Sequence, residues 1–402
     1  MRILIVNKFL YPNGGSETYI FRLGEQFQKM GHEVQYFGME HEKRIVGNRA
    51  ESYTSNMDFH SGKLQKLLYP FKIIYSKEAR KKIRRVLEDF KPEVVHLNNF
   101  NFQLTPSILY EIDSYAKSSG RKIRIVYTAH DSQLVCPNHL MQQYLSKERC
   151  TKCIGHSPWN CTKYKCIHGS FVKSLIGSLE AWLYRSLKTY RLIDVVICPS
   201  SFLKSKLDTC PELAAKTVVM PNFVEQCAES KGQRKKAEPY VVYFGRFSKE
   251  KGIETLLQAC RELKDIPFVF AGNGPMEDQV EQVENIKSKG FITGEELQKV
   301  ISDAAFSVFP SECNENCPFS VMESLMYGTP VIGASIGGVP ELIREGYNGL
   351  LFESGNEKQL KEKIKELWNH RELLDSLQQG CKETRFDTVE EYCMKLLLKY
   401  NC

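Results

Sequence analysis

Short apolar runs rich in β-branched and aromatic residues alternate with longer stretches of helical periodicity along nearly all of this chain, and few architectures tolerate that alternation. In the first half the runs fall at residues 3–6, 34–37, 94–97, 123–128 and 195–198. In the second they restart at 240–244 and continue at 268–270, 306–309 and 331–332. Strands spaced by helices read as parallel sheets of the α/β type. The first helix shows the pattern well: Ile20, Leu23, Phe27 and Met30 share one face, and Gly31 stops it before the next strand. At 402 residues the chain is too long for one ordinary core, so the expectation is two doubly wound domains of about 200 residues each. Residues 227–239, polar and densely charged, read as a linker or flexible insertion between them.

No apolar run approaches the roughly 20 residues that span a bilayer. The opening Met1-Arg-Ile-Leu-Ile-Val-Asn7 meets Lys8 at once, which suits a buried strand better than a signal peptide. The expectation is a cytoplasmic protein, in which most of the 14 cysteines are reduced thiols or metal ligands. Charge is unevenly shared: residues 1–200 carry 30 Lys and Arg against 17 Asp and Glu, residues 201–402 carry 25 against 31. A basic first half points to nucleic acid, an anionic membrane surface or phosphate-bearing ligands. The excess gathers at residues 63–91 and 163–191. Within the former, residues 67–85 are amphipathic and cationic, a pattern shared by helices on anionic lipid and by solvated helices over a core.

The stretch from Pro310 to Ile332 carries the densest chemistry. It sets Glu315 just before an expected helix and Glu323 within it. Pro318 suits the first helical position, where its missing N–H would have had no acceptor. The free N–H groups of Cys317, Phe319 and Ser320 would then face a ligand, and the positive helix end favours an anion or a polyol. Taken by itself, the spacing fits an amphipathic helix with a solvated Glu323 equally well.

Two glutamates separated by seven residues and followed by Gly328, Pro330, Val331 and Ile332 resemble the motif of the retaining nucleotide-sugar glycosyltransferases of family 4. Other motifs of that family recur in order along the chain. The resemblance implies a GT-B fold, two doubly wound Rossmann-like domains facing a central cleft. It places an acceptor-side domain at residues 1–217 with a Cys-rich insertion at about 136–166, and a nucleotide-sugar-binding domain at 218–384. A C-terminal helix at 385–402 would cross back to the first domain. The implied activity is transfer of a sugar from a nucleotide diphosphate sugar to an acceptor with retention of configuration, independent of a metal.

The family's pattern also assigns roles, residue by residue. Arg246 and Lys251, in Gly245-Arg-Phe-Ser-Lys-Glu-Lys-Gly252 between a strand and a helix, would neutralise the diphosphate, a task that magnesium performs in other transferases. The chain contains no Asp-x-Asp pair for such a metal. Glu315 and the backbone of the segment Asn316, Cys317, Pro318 and Phe319, with the N–H groups of its three non-proline residues, would hold the donor sugar, and Glu323 the ribose. His130, in Thr128-Ala-His-Asp131, would contact the donor sugar in the transition state. Gly15, beside Gly14 in the first loop, would let backbone approach the donor phosphates. Gly272-Asn-Gly-Pro275 resembles a structural turn of the family. His96 matches the first of two histidines often seen there, but Asn98 replaces the second.

Cys150-x2-Cys153-x7-Cys161-x4-Cys166, with Cys136 upstream, is dense enough for a tetrahedral thiolate site. Structural zinc, reduced thiols and an occasional disulfide all fit that spacing. The expected partners are a nucleotide diphosphate sugar, a glycan or lipid-linked acceptor of cell-surface polysaccharide synthesis and an anionic membrane at the inner face, with no nucleic acid. Rival readings are a GT-B nucleotide-sugar epimerase, a phosphorylase, or a non-enzymatic nucleic-acid binder suggested only by the basic half.

Overall fold

A computed structural model describes residues 1–55, 73–146, 148–224 and 238–401. Residues 67–72 of the amphipathic basic stretch and residues 227–237 of the expected linker lie outside them.

The chain forms two compact units, Met1–Pro221 together with the residues from Val389 onward, and Asn222–Thr388. The first contains β1 (Arg2–Val6), α1 (Gly15–Lys29), β2 (Glu33–Phe37), α2 (Lys77–Phe90), β3 (Val94–Leu97), α3 (Ser107–Ser119) and β4 (Arg124–Thr128). After these come α4 (Trp159–Lys163), α5 (Phe171–Ser186), β5 (Val195–Cys198), α6 (Ser201–Leu207) and β6 (Thr217–Val219). Its six strands run parallel in the order β2-β1-β3-β4-β5-β6. Strands β3, β4 and β5 are buried almost throughout, as helices on both faces of a parallel sheet require.

Local chemistry sets the helix limits. Ser76 caps α2 by accepting from the Ala79 N–H, and Lys91 ends it in the left-handed region at φ 53°. Gly31, at φ 84°, follows α1 where the periodicity stops.

The second unit contains β7 (Val241–Phe244), α7 (Ile253–Glu262), β8 (Phe268–Ala271), α8 (Glu277–Glu281), β9 (Ile286–Ser288), α9 (Gly294–Ser302) and β10 (Phe306–Phe309). It continues with α10 (Phe319–Met326), β11 (Val331–Ala334), α11 (Val339–Leu342), β12 (Gly349–Phe352), α12 (Glu357–Asn369) and α13 (Arg371–Glu383). The order is β12-β11-β10-β7-β8-β9, again all parallel. Its core joins Val241, Phe268, Phe270 and Phe306 to the apolar faces of α7, α10, α12 and α13.

The last helix, α14 (Val389–Asn401), belongs to the first unit and packs on α1. Tyr392 and Tyr400 are buried there; the Tyr392 hydroxyl lies 3.0 Å from that of Tyr19, and the Tyr400 hydroxyl 2.7 Å from His96 Nδ1. Among the described residues no helix is long and apolar enough to cross a membrane. Both units are doubly wound Rossmann-like domains, the pair that makes a GT-B fold.

Candidate functional site

In an open parallel sheet, ligands bind beyond the carboxyl ends of the strands where the winding reverses. In the second unit that point lies between β7 and β10, because the chain winds from β7 outward to β9 and then returns to the other side. The loops leaving these two strands carry Arg246 and Lys251 on one side and Glu315 on the other.

The structure brings two of these residues into contact. Lys251, in a short 3₁₀ turn at Lys249–Lys251, places Nζ 2.5 Å from Glu315 Oε1. The Ser311 hydroxyl donates to the same oxygen at 2.8 Å. The side chains are 33% and 14% exposed, so the pair is shielded but reachable. Burial alone would lower the Lys251 pKa, but the Glu315 carboxylate, with smaller contributions from neighbours that include Glu250, outweighs it and raises the ammonium above its ordinary 10.5. Cys313, beside the pair, is pushed up to about 11 by burial and by Glu315, so it is a neutral thiol at physiological pH.

Backbone contacts lock the two loops together. Glu250 O accepts from the N–H groups of Glu312 and Cys313 at 3.0 and 3.1 Å, and Thr255 Oγ1 donates to Glu312 Oε1 at 2.6 Å. Gly252, at φ 72°, lets α7 begin directly against Pro310: a Cβ there would sit 1.9 Å from the Pro310 carbonyl oxygen. Glu315 is fixed from a third side, since its own carbonyl accepts from the Gly338 N–H at 2.7 Å. A Cβ on Gly337 would lie 2.1 Å from that carbonyl oxygen, so only glycine lets this turn approach.

Arg246 is exposed on the β7 loop, and its carbonyl accepts from the Tyr243 hydroxyl at 2.9 Å. The Gly272–Pro275 turn packs on this loop through Phe247 N–H to Asn273 O and Met276 N–H to Phe247 O, at 2.8 and 3.0 Å. Pro318 stands one residue before α10, not in its first position. Its ψ of 125° is extended, and the helix starts at Phe319. The first N–H groups of α10 still have no acceptor within the helix, as at any helix start. Cys317 is buried, accepts from Asn222 Nδ2 through its carbonyl at 2.9 Å, and has its thiol pushed up to about 12 by burial. Glu323 is half-buried in the second turn of α10.

In the first unit the winding reverses between β1 and β3. Gly15 opens α1 after β1, and a partly buried network holds that loop in place. Asn7 Nδ2 and Ser16 Oγ each donate to Glu17 Oε1 at 2.9 Å, while Asn99 Nδ2 donates to Ser16 Oγ at 2.9 Å. His130 follows β4, and its Nε2 lies 2.9 Å from Asn98 Oδ1 at the end of β3. Burial lowers its pKa to about 4 against the opposing effect of Asp131, so the ring is neutral at physiological pH. His96 is fully buried between Tyr400 and Thr128, and burial together with His130 lowers its pKa to about 3. It is a structural histidine.

The cysteine cluster does not form the metal site that its spacing allows. Cys153, Cys161 and Cys166 are buried together against Tyr164 and Ile167, while Cys150 is half-buried and outside that cluster. Among the described residues, no group of three or more His, Cys, Asp or Glu side chains is placed to hold a metal ion, and these cysteines are free thiols. The Cys136 thiol is spent on Asn138 Oδ1 at 2.9 Å. Burial raises Cys136 to about 12 and Cys153 to about 11, and the hydrogen bond to Cys166, with burial, holds Cys161 protonated. Cys166 differs, its thiol held below the ordinary 9.0 by the hydrogen bond with Cys161, but it is buried in the same apolar cluster as Cys153 and Cys161.

Sequence reasoning passed over Ser311, Glu17 and Gly337, and noted Asn98 only as the residue that stands in place of a second histidine. Ser311 and Asn98 stood inside stretches already singled out, but only the fold shows what their side chains face.

Residues 13–226 match the family model described as Glycosyltransferase Family 4, and residues 226–384 match that of the glycosyl transferases group 1. An uncharacterized glycosyltransferase of Methanocaldococcus jannaschii is 29% identical over 54% of this chain, which spans 61% of that relative's length. An uncharacterized 42.6 kDa protein in the cps region of Klebsiella pneumoniae is 22% identical over 86% of this chain and 88% of its own length. Among solved structures, sucrose-phosphate synthase from Thermosynechococcus elongatus superposes with a TM-score of 0.70 at 17% identity, covering 100% of this chain and 98% of the other. Anabaena HepE in complex with UDP gives 0.68 at 16% identity, with both chains covered completely. At these identities the structures bear on the fold alone, whereas the match over more than half of the chain places this protein in glycosyltransferase family 4.

Proposed function

We propose that the protein transfers a sugar from a nucleotide diphosphate sugar to an acceptor with retention of configuration, and that the second unit binds the donor. The observation that carries this reading is the Lys251–Glu315 pair at the winding reversal of the second sheet. An ammonium and a carboxylate held side by side, next to the N–H groups at the start of α10, match the two ends of such a donor. The diphosphate competes with Glu315 for Lys251 and is joined by Arg246. The released carboxylate then accepts from hydroxyls of the sugar, with the backbone of Asn316 to Phe319 beside it. Glu323 accepts from the ribose. His130 and Gly15 keep the donor contacts that the family pattern gives them. Departure of the diphosphate is driven by fixed cations, which act where charge develops and cost no reorganisation during reaction.

The acceptor in this reading is a lipid-linked glycan of cell-surface polysaccharide synthesis, met at the cytoplasmic face of a membrane. The basic first half of the chain supports it, and so does the position of one relative in a cps region. The test is a panel of nucleotide sugars assayed for release of nucleotide diphosphate, with and without lipid-linked acceptor extracts. Release that depends on acceptor supports transfer. Interconversion of donor without acceptor would replace it with an epimerase, and a requirement for inorganic phosphate with a phosphorylase.

A further inference from the structure

We propose that Asn98 is a positioning residue for His130: its amide fixes both the plane of the imidazole and the nitrogen that carries the proton. Asn98 is fully buried at the end of β3. Its Nδ2 faces two groups that can only accept, Val6 O at 3.5 Å and His96 O at 3.3 Å. Its backbone N–H is also committed, to Val6 O at 2.8 Å. The amide therefore cannot turn over without setting a carbonyl oxygen against two others, and Oδ1 must face His130 Nε2 at 2.9 Å. An amide oxygen has no proton to give. The hydrogen in that bond belongs to Nε2, which leaves Nδ1 as the unprotonated nitrogen of a neutral ring.

The protonated nitrogen of a histidine is chosen by the hydrogen bond that the other nitrogen, or the same one, makes. A second histidine in place of Asn98 could meet His130 in either sense, as donor or acceptor, so it would leave the tautomer open. Asn98 makes the choice single. Groups near His130 among the described residues include Asp131, next in the chain, His96 on β3 and the Tyr19 ring, which stands edge-on at 5.1 Å. None of these replaces an acceptor directed at Nε2.

The catalytic part of this inference rests on His130 being a donor contact; the tautomer part does not. Nitrogen-15 NMR of the full-length protein labelled at histidine, with His130→Gln to assign the signal, is expected to show a neutral ring protonated at Nε2. A ring protonated at Nδ1 would overturn the proposal whatever the activity. Asn98→Leu and Asn98→Asp both lose the Nδ2 donors, so they share any cost to folding, and only Asp keeps an acceptor for Nε2–H. Asn98→Leu is expected to lower kcat about tenfold, the worth of one hydrogen bond, with KM for the donor little changed. Asn98→Asp should recover most of that loss and move the acid limb of the pH profile upward, because a carboxylate stabilises the imidazolium. Equal turnover in the Leu and Asp variants would refute a positioning role. If His130→Gln itself leaves turnover intact, the donor-contact reading fails while the NMR result still stands or falls on its own.

Discussion

Replacing Lys251 with methionine keeps most of the apolar stem of the side chain and removes the ammonium, with its charge and its hydrogen bond to Glu315. In the wild type its ammonium touches a carboxylate that is 14% exposed. Two unit charges in contact at an effective dielectric near 20 attract by roughly 4 kcal/mol. Lys251 is 33% exposed, and solvent screening together with the cost of ordering its chain reduces that figure. A net loss of about 1–3 kcal/mol follows, between the values for exposed pairs and for buried pairs broken from one side. The sign of the pH dependence is fixed by the raised pKa. A lysine whose folded pKa exceeds its unfolded one contributes fully below the unfolded value, 10.5, and loses that contribution as pH climbs through the higher folded value. Urea denaturation of wild type and Lys251→Met should thus differ by a constant amount from neutrality to about pH 10, with the gap closing above it. Turnover should fall by about 10² or more, as for removal of a fixed group that meets developing charge. A stability difference below about 0.5 kcal/mol would refute the ion-pair reasoning, and unchanged turnover would remove Lys251 from the diphosphate.

Gly252→Ala must push the start of α7 away from the Pro310 carbonyl and adopt φ 72°, so a destabilisation above about 2 kcal/mol is expected by thermal unfolding, with activity reduced in parallel. Glu180 is buried, its Oε1 has no hydrogen-bond partner among the described residues, and burial lifts its pKa from 4.5 to about 8. A carboxyl shifted upward makes the folded state bind more protons, so stability should fall as pH rises from about 4.5 to 8, and Glu180→Gln should flatten that slope; an unchanged slope would refute it. Elemental analysis of the purified protein should find no stoichiometric zinc, and a chelator should leave its unfolding curve unmoved; one zinc per chain would reverse the reading of Cys153, Cys161 and Cys166 as core thiols.

Much of the fold was legible because each strand is a local signal. Residues 195–198 are apolar throughout and residues 94–97 apolar except for His96, and the stop at Gly31 needs no tertiary information. Strands β6, β9 and β12 escaped notice: Thr217-Val-Val219 is only three residues long, Ile286-Lys-Ser288 has one apolar residue, and Gly349 opens the third, so none announces a strand without its neighbour. At the site, the sequence presents Lys251 and Glu315 as two separate motifs, whereas their contact depends on the return of β10 beside β7. The helix after Pro318 was one residue misplaced because a proline at the cap and a proline in the first turn look alike in sequence. The cysteine cluster stayed open between zinc, thiols and a disulfide for a related reason, since spacing reports how many thiols are near, not whether their sulfurs face a common point.

The placement of α14 has a consequence for synthesis of the chain. Tyr19 and His96 are buried by residues made after the entire second unit, which spans Asn222–Thr388. At ordinary elongation rates the ribosome needs on the order of 10 s to make that unit. For that interval the nascent first unit lacks the two tyrosines that cover α1, and its polar groups must be met by water or by a chaperone. A stop anywhere before Val389 would make that interval permanent, so a premature termination that spares both sheets would still leave the groove of α1 exposed to aggregation and proteolysis.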